Sequence, residues 1–202
     1  MEKVELIPLK TRALKAGDDL VGVLLESAGR AGGLKEGDVL VVSCKAVSIC
    51  RGHLVRLDSV RPSRRARRLS KPTGLDARMV EVILREAEKV LGGVRYALLT
   101  LRDRMLLINA GVDMSNAPPG HVAVLPPDPQ RAARELREEV SKRAGVQVAV
   151  VLSDSVTHLL RKGTTGIAVG WSGLQPVEDC RGKEDPVSYT HLRAHETEAD
   201  LV

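Results

Sequence analysis

The sequence predicts an α/β fold, a mixed sheet with flanking helices, from three observations. Two nearly continuous apolar runs, residues 39–42 and 146–152, have the composition of strands covered on both faces. Two segments, near 20–28 and 77–91, repeat apolar residues at helical spacing behind an Asp suited to cap them. Two apolar-rich runs, 96–101 and 105–109, flank the charged turn Arg102-Asp103-Arg104 and read as a hairpin, which makes the pairing mixed rather than wholly parallel.

Taken in order, residues 4–9 predict a short strand closed by the loop Lys10-Thr11-Arg12-Ala13-Leu14-Lys15. Asp18 and Asp19 offer N-caps to the first helix, in which Leu20, Val23, Leu24 and Ala28 share a face. Gly37-Asp38 turns the chain into the strand at 39–42, and residues 43–51 predict a short helix ended by Gly52. Asp76 caps the second helix, with Met79, Val80, Ile83, Leu84 and Ala87 as its buried stripe and Gly92-Gly93 as its stop. After the hairpin come a strand at 122–125, the Pro-rich lead-in Pro126-Pro127-Asp128-Pro129, a helix at 130–143 and the strand at 146–152. No repeat or low-complexity segment interrupts this order.

Composition narrows the function classes. The 202 residues carry a net charge of +5, with much of the positive charge in one run: Arg61, Arg64, Arg65, Arg67, Arg68 and Lys71. A basic balance invites a nucleic-acid or polyanion reading. Aromatic content of 1% with no Phe denies it a stacking platform, so the run reads first as a solvated helix face or loop. Cys44, Cys50 and Cys180 have neither CxxC spacing nor a His cluster to complete a zinc site. The charged opening Met1-Glu2-Lys3-Val4-Glu5 is no secretory signal and no apolar run approaches membrane-spanning length, which predicts a cytoplasmic protein.

Two acidic motifs stand just past the ends of apolar strands, where chemistry commonly sits. One is Asn109-Ala110-Gly111-Val112-Asp113-Met114-Ser115-Asn116, in which the small Ala-Gly pair permits a tight turn. The other is Ser153-Asp154-Ser155. Each alone reads as a turn or capping Asp; together, carboxylate and hydroxyl oxygens suit a hard divalent cation such as Mg²⁺ or Mn²⁺. A third stretch, Arg161-Lys162-Gly163-Thr164-Thr165-Gly166, reads as a plain basic turn or as a phosphate cradle, with Arg161 and Thr165 as the contacts. No GxxxxGK[ST] or GxGxxG pattern occurs, and nothing assigns a catalytic acid, base or nucleophile.

At these same residues the chain resembles the ligases that add glutamate to the deazaflavin coenzyme F420. The likeness runs through Lys15-Ala16-Gly17-Asp18-Asp19-Leu20, Gly37-Asp38-Val39-Leu40-Val41-Val42, the Ala110-Gly111-Val112-Asp113 and Ser115-Asn116 motif, Leu125 to Pro129, and Val148 to Ser155. The resemblance implies that Asp113, Asp154 and Ser155 hold divalent metal and that Asn116 contacts GTP. Arg12, Ala13, Leu14 and Lys15, with Cys44 and Lys45, are implied as further nucleotide-binding positions. It also implies GTP-driven joining of L-glutamate to the coenzyme F420 precursor through an acyl phosphate, and an intertwined homodimer. The chain departs from the family at Ile49, where a Lys is usual, and across residues 157–160, of which only the following Arg161 is kept. The alternative is a non-catalytic basic protein on the same fold that binds nucleic acid or another polyanion.

The end of the chain reads differently. Residues 187–202, Val-Ser-Tyr-Thr-His-Leu-Arg-Ala-His-Glu-Thr-Glu-Ala-Asp-Leu-Val, resemble the translated adapter arm of a transposase-based sequencing library. This predicts one ligase domain over residues 1–185, C-terminally incomplete and inactive alone, and an unpacked tail at 186–202 that contributes no site residue.

Overall fold

The computed structural model describes residues 4–157 and 162–177. The expected strand at 4–9 is absent: this segment is irregular, with Val4 and Leu6 almost fully exposed, because no strand among the described residues pairs with it. Helix α1 (Leu20–Arg30) is capped by Asp19, whose carboxylate accepts from the Gly22 amide at 3.0 Å, and Leu20, Val23, Leu24 and Ala28 are buried. Strand β1 (Val39–Ser43) runs directly into the short helix α2 (Cys44–Cys50). Strand β2 (Leu54–Arg56) and a 3-10 turn precede α3 (Arg64–Thr73), which the basic run forms. The Ser63 hydroxyl caps α3 and Ala66 faces inward, while Arg64, Arg65, Arg67, Arg68 and Lys71 are exposed, the solvated face expected of the run.

Helix α4 (Ala77–Glu86) starts at the expected Asp76 cap but ends five residues before the expected stop. Ala87 is extended, and the chain continues as β3 (Lys89–Val94) against β4 (Ala97–Arg102), which turns back into β5 (Met105–Ile108). Gly92 and Gly93 are therefore strand residues beside a bulge. A Cβ at Gly93 would lie 2.8 Å from the end of the Leu98 side chain and 3.1 Å from the Ala97 carbonyl, so a larger residue there must displace Leu98. Next come β6 (His121–Ala123) and α5 (Pro129–Ala144), whose start is held by Asp128 and whose end is closed by left-handed Gly145. The last described elements are β7 (Ala149–Thr157) and β8 (Thr164–Ser172).

The strands form three sheets. The mixed one has the order β1-β7-β8, with β1 parallel and β8 antiparallel to β7. The other two, β2-β6 and β3-β4-β5, are antiparallel. The mixed character expected from the hairpin thus comes from β8, which occupies part of the stretch read as a basic turn or phosphate cradle. Helix α5 packs on β7 and β8. Leu40 and Val42 are buried but Val39 and Val41 are exposed, so β1 is covered on one face only among the described residues, not on both as its apolar run predicted.

Two apolar cores result. One joins α1, α2, α5 and the mixed sheet around Leu24, Val47, Leu136, Val150 and Leu152. The other joins α3, α4 and β4 around Val80, Ile83, Leu98 and Val122, and includes Ala110 and Val112. Full burial of each such side chain contributes about 1.5–3 kcal/mol, so both cores are stabilised mainly by apolar packing. No described helix is long and apolar enough to cross a membrane.

Candidate functional site

The site lies at the seam between the two cores. Lys45, in the first turn of α2, and Asp154, on the inward face of β7, come from the first core; Asp113 follows the turn anchored in the second. The Lys45 ammonium donates to Asp154 Oδ1 at 2.8 Å and stands 3.4 Å from Asp113 Oδ2. Two carboxylates separated by forty-one positions thus converge on the Lys45 ammonium. The Asp154 side chain is 4% exposed, that of Lys45 18% and that of Asp113 31%, so the cluster opens to solvent on the Asp113 side.

The chain reaches Asp113 through a turn of unusual backbone. Asn109, Ala110 and Gly111 all adopt positive φ, at 54°, 53° and 75°. For Ala110 this left-handed conformation costs about 1–2 kcal/mol. At Gly111 a Cβ would lie 2.5 Å from the Leu125 side chain, so only glycine fits both the dihedral and the packing. Strand β4 holds the turn in place. The Leu98 amide donates to Asn109 Oδ1 at 2.8 Å, and the Ala110 amide donates to Thr100 Oγ1 at 2.9 Å. Past the turn, Asp113 and Ala123 exchange backbone hydrogen bonds of 3.0 and 2.8 Å. Asp113 then accepts from the Ser115 amide at 3.0 Å and the Ser115 hydroxyl at 2.6 Å, while Asn116 reaches Ser115 Oγ at 3.3 Å.

The other expected positions fall around this cluster at different depths. Arg12, Ala13, Leu14 and Lys15 form a loop closed by Asp18, which accepts from the Arg12 guanidinium at 2.6 Å and the Lys15 amide at 2.7 Å. Gly17 donates to the Cys50 carbonyl, so this loop sits at the far end of α2 from Lys45, about 7.5 Å along the axis. Cys44 is fully buried, and burial, helped by the Asp154 charge, pushes its thiol up to about 12; it stays neutral and is no nucleophile. Ile49, where the resemblance implies a Lys, is buried. Ser155 is exposed and adjacent to buried Asp154 on one strand, so its side chain leaves the sheet on the opposite face. Thr165 pairs with Val156 in β8, and its buried hydroxyl has no hydrogen-bond partner among the described residues. Arg161, Cys180 and the tail at 186–202 lie outside the described residues.

The electrostatics favour a cation between the carboxylates. Burial works against the Lys45 charge, but its hydrogen bond and attraction to Asp154, with Asp113 added, hold its pKa above the usual value. Burial likewise works against ionised Asp113, and the two Ser115 hydrogen bonds with the Lys45 charge outweigh it, leaving the carboxyl below its usual range. Among the described residues no three His, Cys, Asp or Glu side chains converge. Two carboxylates with a neighbouring hydroxyl still fit Mg²⁺ or Mn²⁺, which complete their shells with water and phosphate oxygens. Sequence reasoning missed Ser115 as a direct partner of Asp113, although an Asp followed two positions on by Ser is a recognisable local hydrogen-bonding pattern. It also missed Thr100 and Arg102, which carry no local signal.

Comparison with known proteins finds relatives along most of the chain. The family model described as F420-0:Gamma-glutamyl ligase matches residues 8–202. The coenzyme F420:L-glutamate ligase of Methanopyrus kandleri is 45% identical over 184 residues, covering 91% of this chain and 71% of that protein. The ligases of the same name from Methanocaldococcus jannaschii and Archaeoglobus fulgidus are each 34% identical over 184 residues, covering 91% of this chain and 72% of theirs. With the match running through both cores and the residues that join them, the chain belongs to the F420-0:gamma-glutamyl ligase family.

Proposed function

We propose that this chain carries the metal- and nucleotide-handling residues of a ligase that joins L-glutamate to the coenzyme F420 precursor at the expense of GTP. The observation that supports the reading most directly is the convergence of Asp113 and Asp154, one from each core, on a single positive charge. In this reading Asp113 and Asp154 hold Mg²⁺ or Mn²⁺, which when bound neutralises phosphate charge. Ser155 is a further ligand that the resemblance implies; its side chain leaves the sheet on the face opposite Asp154, so it would hold an ion apart from this pair, and Ser155→Ala tests it separately. Lys45 supplies a second positive charge, and Asn116 and the loop of Arg12, Ala13, Leu14 and Lys15 bind the nucleotide, with Arg161 and Thr165 as phosphate or substrate contacts. Cys44, implied with them, is fully buried and serves by anchoring the helix start that presents Lys45. An oxygen of the precursor's terminal carboxylate attacks the γ-phosphorus and GDP leaves. The glutamate amine then attacks the acyl carbon, inorganic phosphate leaves, and the amine proton is lost as the amide forms. Positioning and charge stabilisation dominate such phosphoryl transfers, which is what a rigid cluster at a seam provides.

The test is GDP release by the chain extended to the length of its relatives. Release is expected only when precursor, L-glutamate and divalent metal are all present; none under full conditions refutes the reading. We propose further that the protein is a homodimer, measurable by light scattering, that it works in the cytoplasm, and that residues 186–202 have no part in the site. A second reading, a basic protein that binds a polyanion, draws on the exposed cations of α3, which have no ion-pair partner among the described residues. It requires nucleic-acid affinity that falls steeply with salt, and a weak, salt-insensitive affinity rejects it.

A further inference from the structure

The inward stripe of β4 is Leu98, Thr100 and Arg102, so two of the three side chains this strand sends into the core are polar. Arg102 is 6% exposed at the mouth of a hairpin whose sequence reads as a solvent-facing charged turn. Its guanidinium pairs with Glu86 at 2.9 Å and Asp103 at 3.5 Å, and makes longer bonds to the carbonyls of Ala110 at 3.3 Å and Pro126 at 3.4 Å. Thr100 donates to the Leu107 carbonyl at 2.7 Å and accepts the Ala110 amide. The peptide groups of left-handed Ala110 are therefore gripped from both sides by β4. Apolar residues of similar volume would stabilise a core at least as well as a buried ion network. What the polar pair adds is a fixed path for the backbone that enters Asp113.

We propose that Arg102 and Thr100 are positioning residues, which clamp the Ala110 peptide so that Asp113 faces Asp154 at the distance a shared cation needs. The proposal rests on the reading of Asp113 as a metal ligand. Neither residue touches the cation; each acts through the turn, as the outer partners of metal ligands commonly do. Glu86 provides the control, because it pairs with Arg102 and, among the described residues, makes no hydrogen bond to the turn.

The experiment is Mn²⁺ titration of the metal-free chain by calorimetry, with folding of each variant checked by near-UV circular dichroism. Arg102→Met and Thr100→Val are expected to raise the Mn²⁺ Kd by about tenfold or more, while Glu86→Gln lowers the melting temperature and leaves Kd within about threefold. Should Arg102→Met fail to fold, the near-isosteric Thr100→Val decides. A smaller change in the folded variants overturns the proposal, as does a loss in Glu86→Gln equal to theirs. If the unsubstituted chain binds no Mn²⁺, the metal reading fails, and the clamp is judged by amide exchange at Val112 and Asp113. Arg102→Met and Thr100→Val must speed that exchange about tenfold relative to Glu86→Gln, a loss of protection expected of local opening; equal rates overturn it.

Discussion

Replacing Lys45 by Met tests the central cluster most sharply. The substitution keeps the length of the stem and removes the charge that Asp113 and Asp154 share. Breaking a fully buried pair from one side costs about 3–5 kcal/mol; partial exposure of Lys45 and Asp113 brings the expectation to roughly 2–3 kcal/mol. For a chain of this size that corresponds to about 4–12 °C in Tm. The Lys45 pKa is raised, so its contribution is complete below the unfolded value of about 10.4 and is lost only above that. Melts at pH 7 therefore see all of it. In EDTA the variant should melt well below the unsubstituted chain. Added Mn²⁺ should raise the variant more, because no ammonium competes for the two carboxylates; at a hundredfold excess over Kd the gain is about 2.7 kcal/mol. The double substitution with Asp154→Asn should cost less than the sum of the single ones. A Lys45→Met protein that melts within 1 °C or so of the parent in EDTA, against the shift expected here, would refute the argument.

Other consequences are more local. Gly111→Ala forces a Cβ into the Leu125 side chain at a left-handed position and should cost about 2–4 kcal/mol in denaturant unfolding. Asp19 is held down to about 2, chiefly by its hydrogen bonds to Arg143, so its contribution is present above its ordinary value of about 3.9 and fades as pH falls toward 2. The Tm difference between the parent and Arg143→Ala should shrink over that range; a constant difference contradicts it. Cys44 should resist thiol reagents at pH 8 in the folded chain and react on unfolding, as peptide mapping would show. Arg64→Glu places an acid in the first turn of α3 and should stabilise it by about 0.3–1 kcal/mol, leaving turnover of the extended ligase unchanged.

Much of this protein was legible one segment at a time. Asp19 and Asp76 cap helices because an Asp oxygen reaches amides two or three positions on, a requirement met within the sequence itself. The same holds for the apolar stripe of α1 and for Met79, Val80 and Ile83 of α4; Leu84 is only half-buried, Ala87 lies past the helix end, and buried Val82 falls outside the expected stripe. The turn at Asn109, Ala110 and Gly111 was visible in its small residues, and Asp113 in its place past an apolar strand. Asp154, expected just past a strand end, instead lies within β7, which runs on to Thr157 through its pairing with β8. The stretch from Ala87 to Val94 shows the limit. Its apolar spacing continues the period of α4 and Gly92-Gly93 looks like a helix stop, yet pairing with β4 makes it a strand. Strand β8 had a readable signal in the alternation of Thr165, Ile167, Val169 and Trp171, masked by the glycines between them.

The sequence by itself determined the α/β class, most helix starts, the family, and the acidic residues around which the site is built, since each depends on local chemistry or on motifs of a few residues. Tertiary structure alone decided that Lys45 stands between Asp113 and Asp154, that Ser155 points away from them, and that Arg102 is buried beneath the turn instead of solvated in a hairpin. The physical reason is that a charge is placed by what packs against it. The cation at this seam is set by contacts between segments about seventy and forty residues apart in the chain, and no local pattern encodes a distance of 3 Å between them.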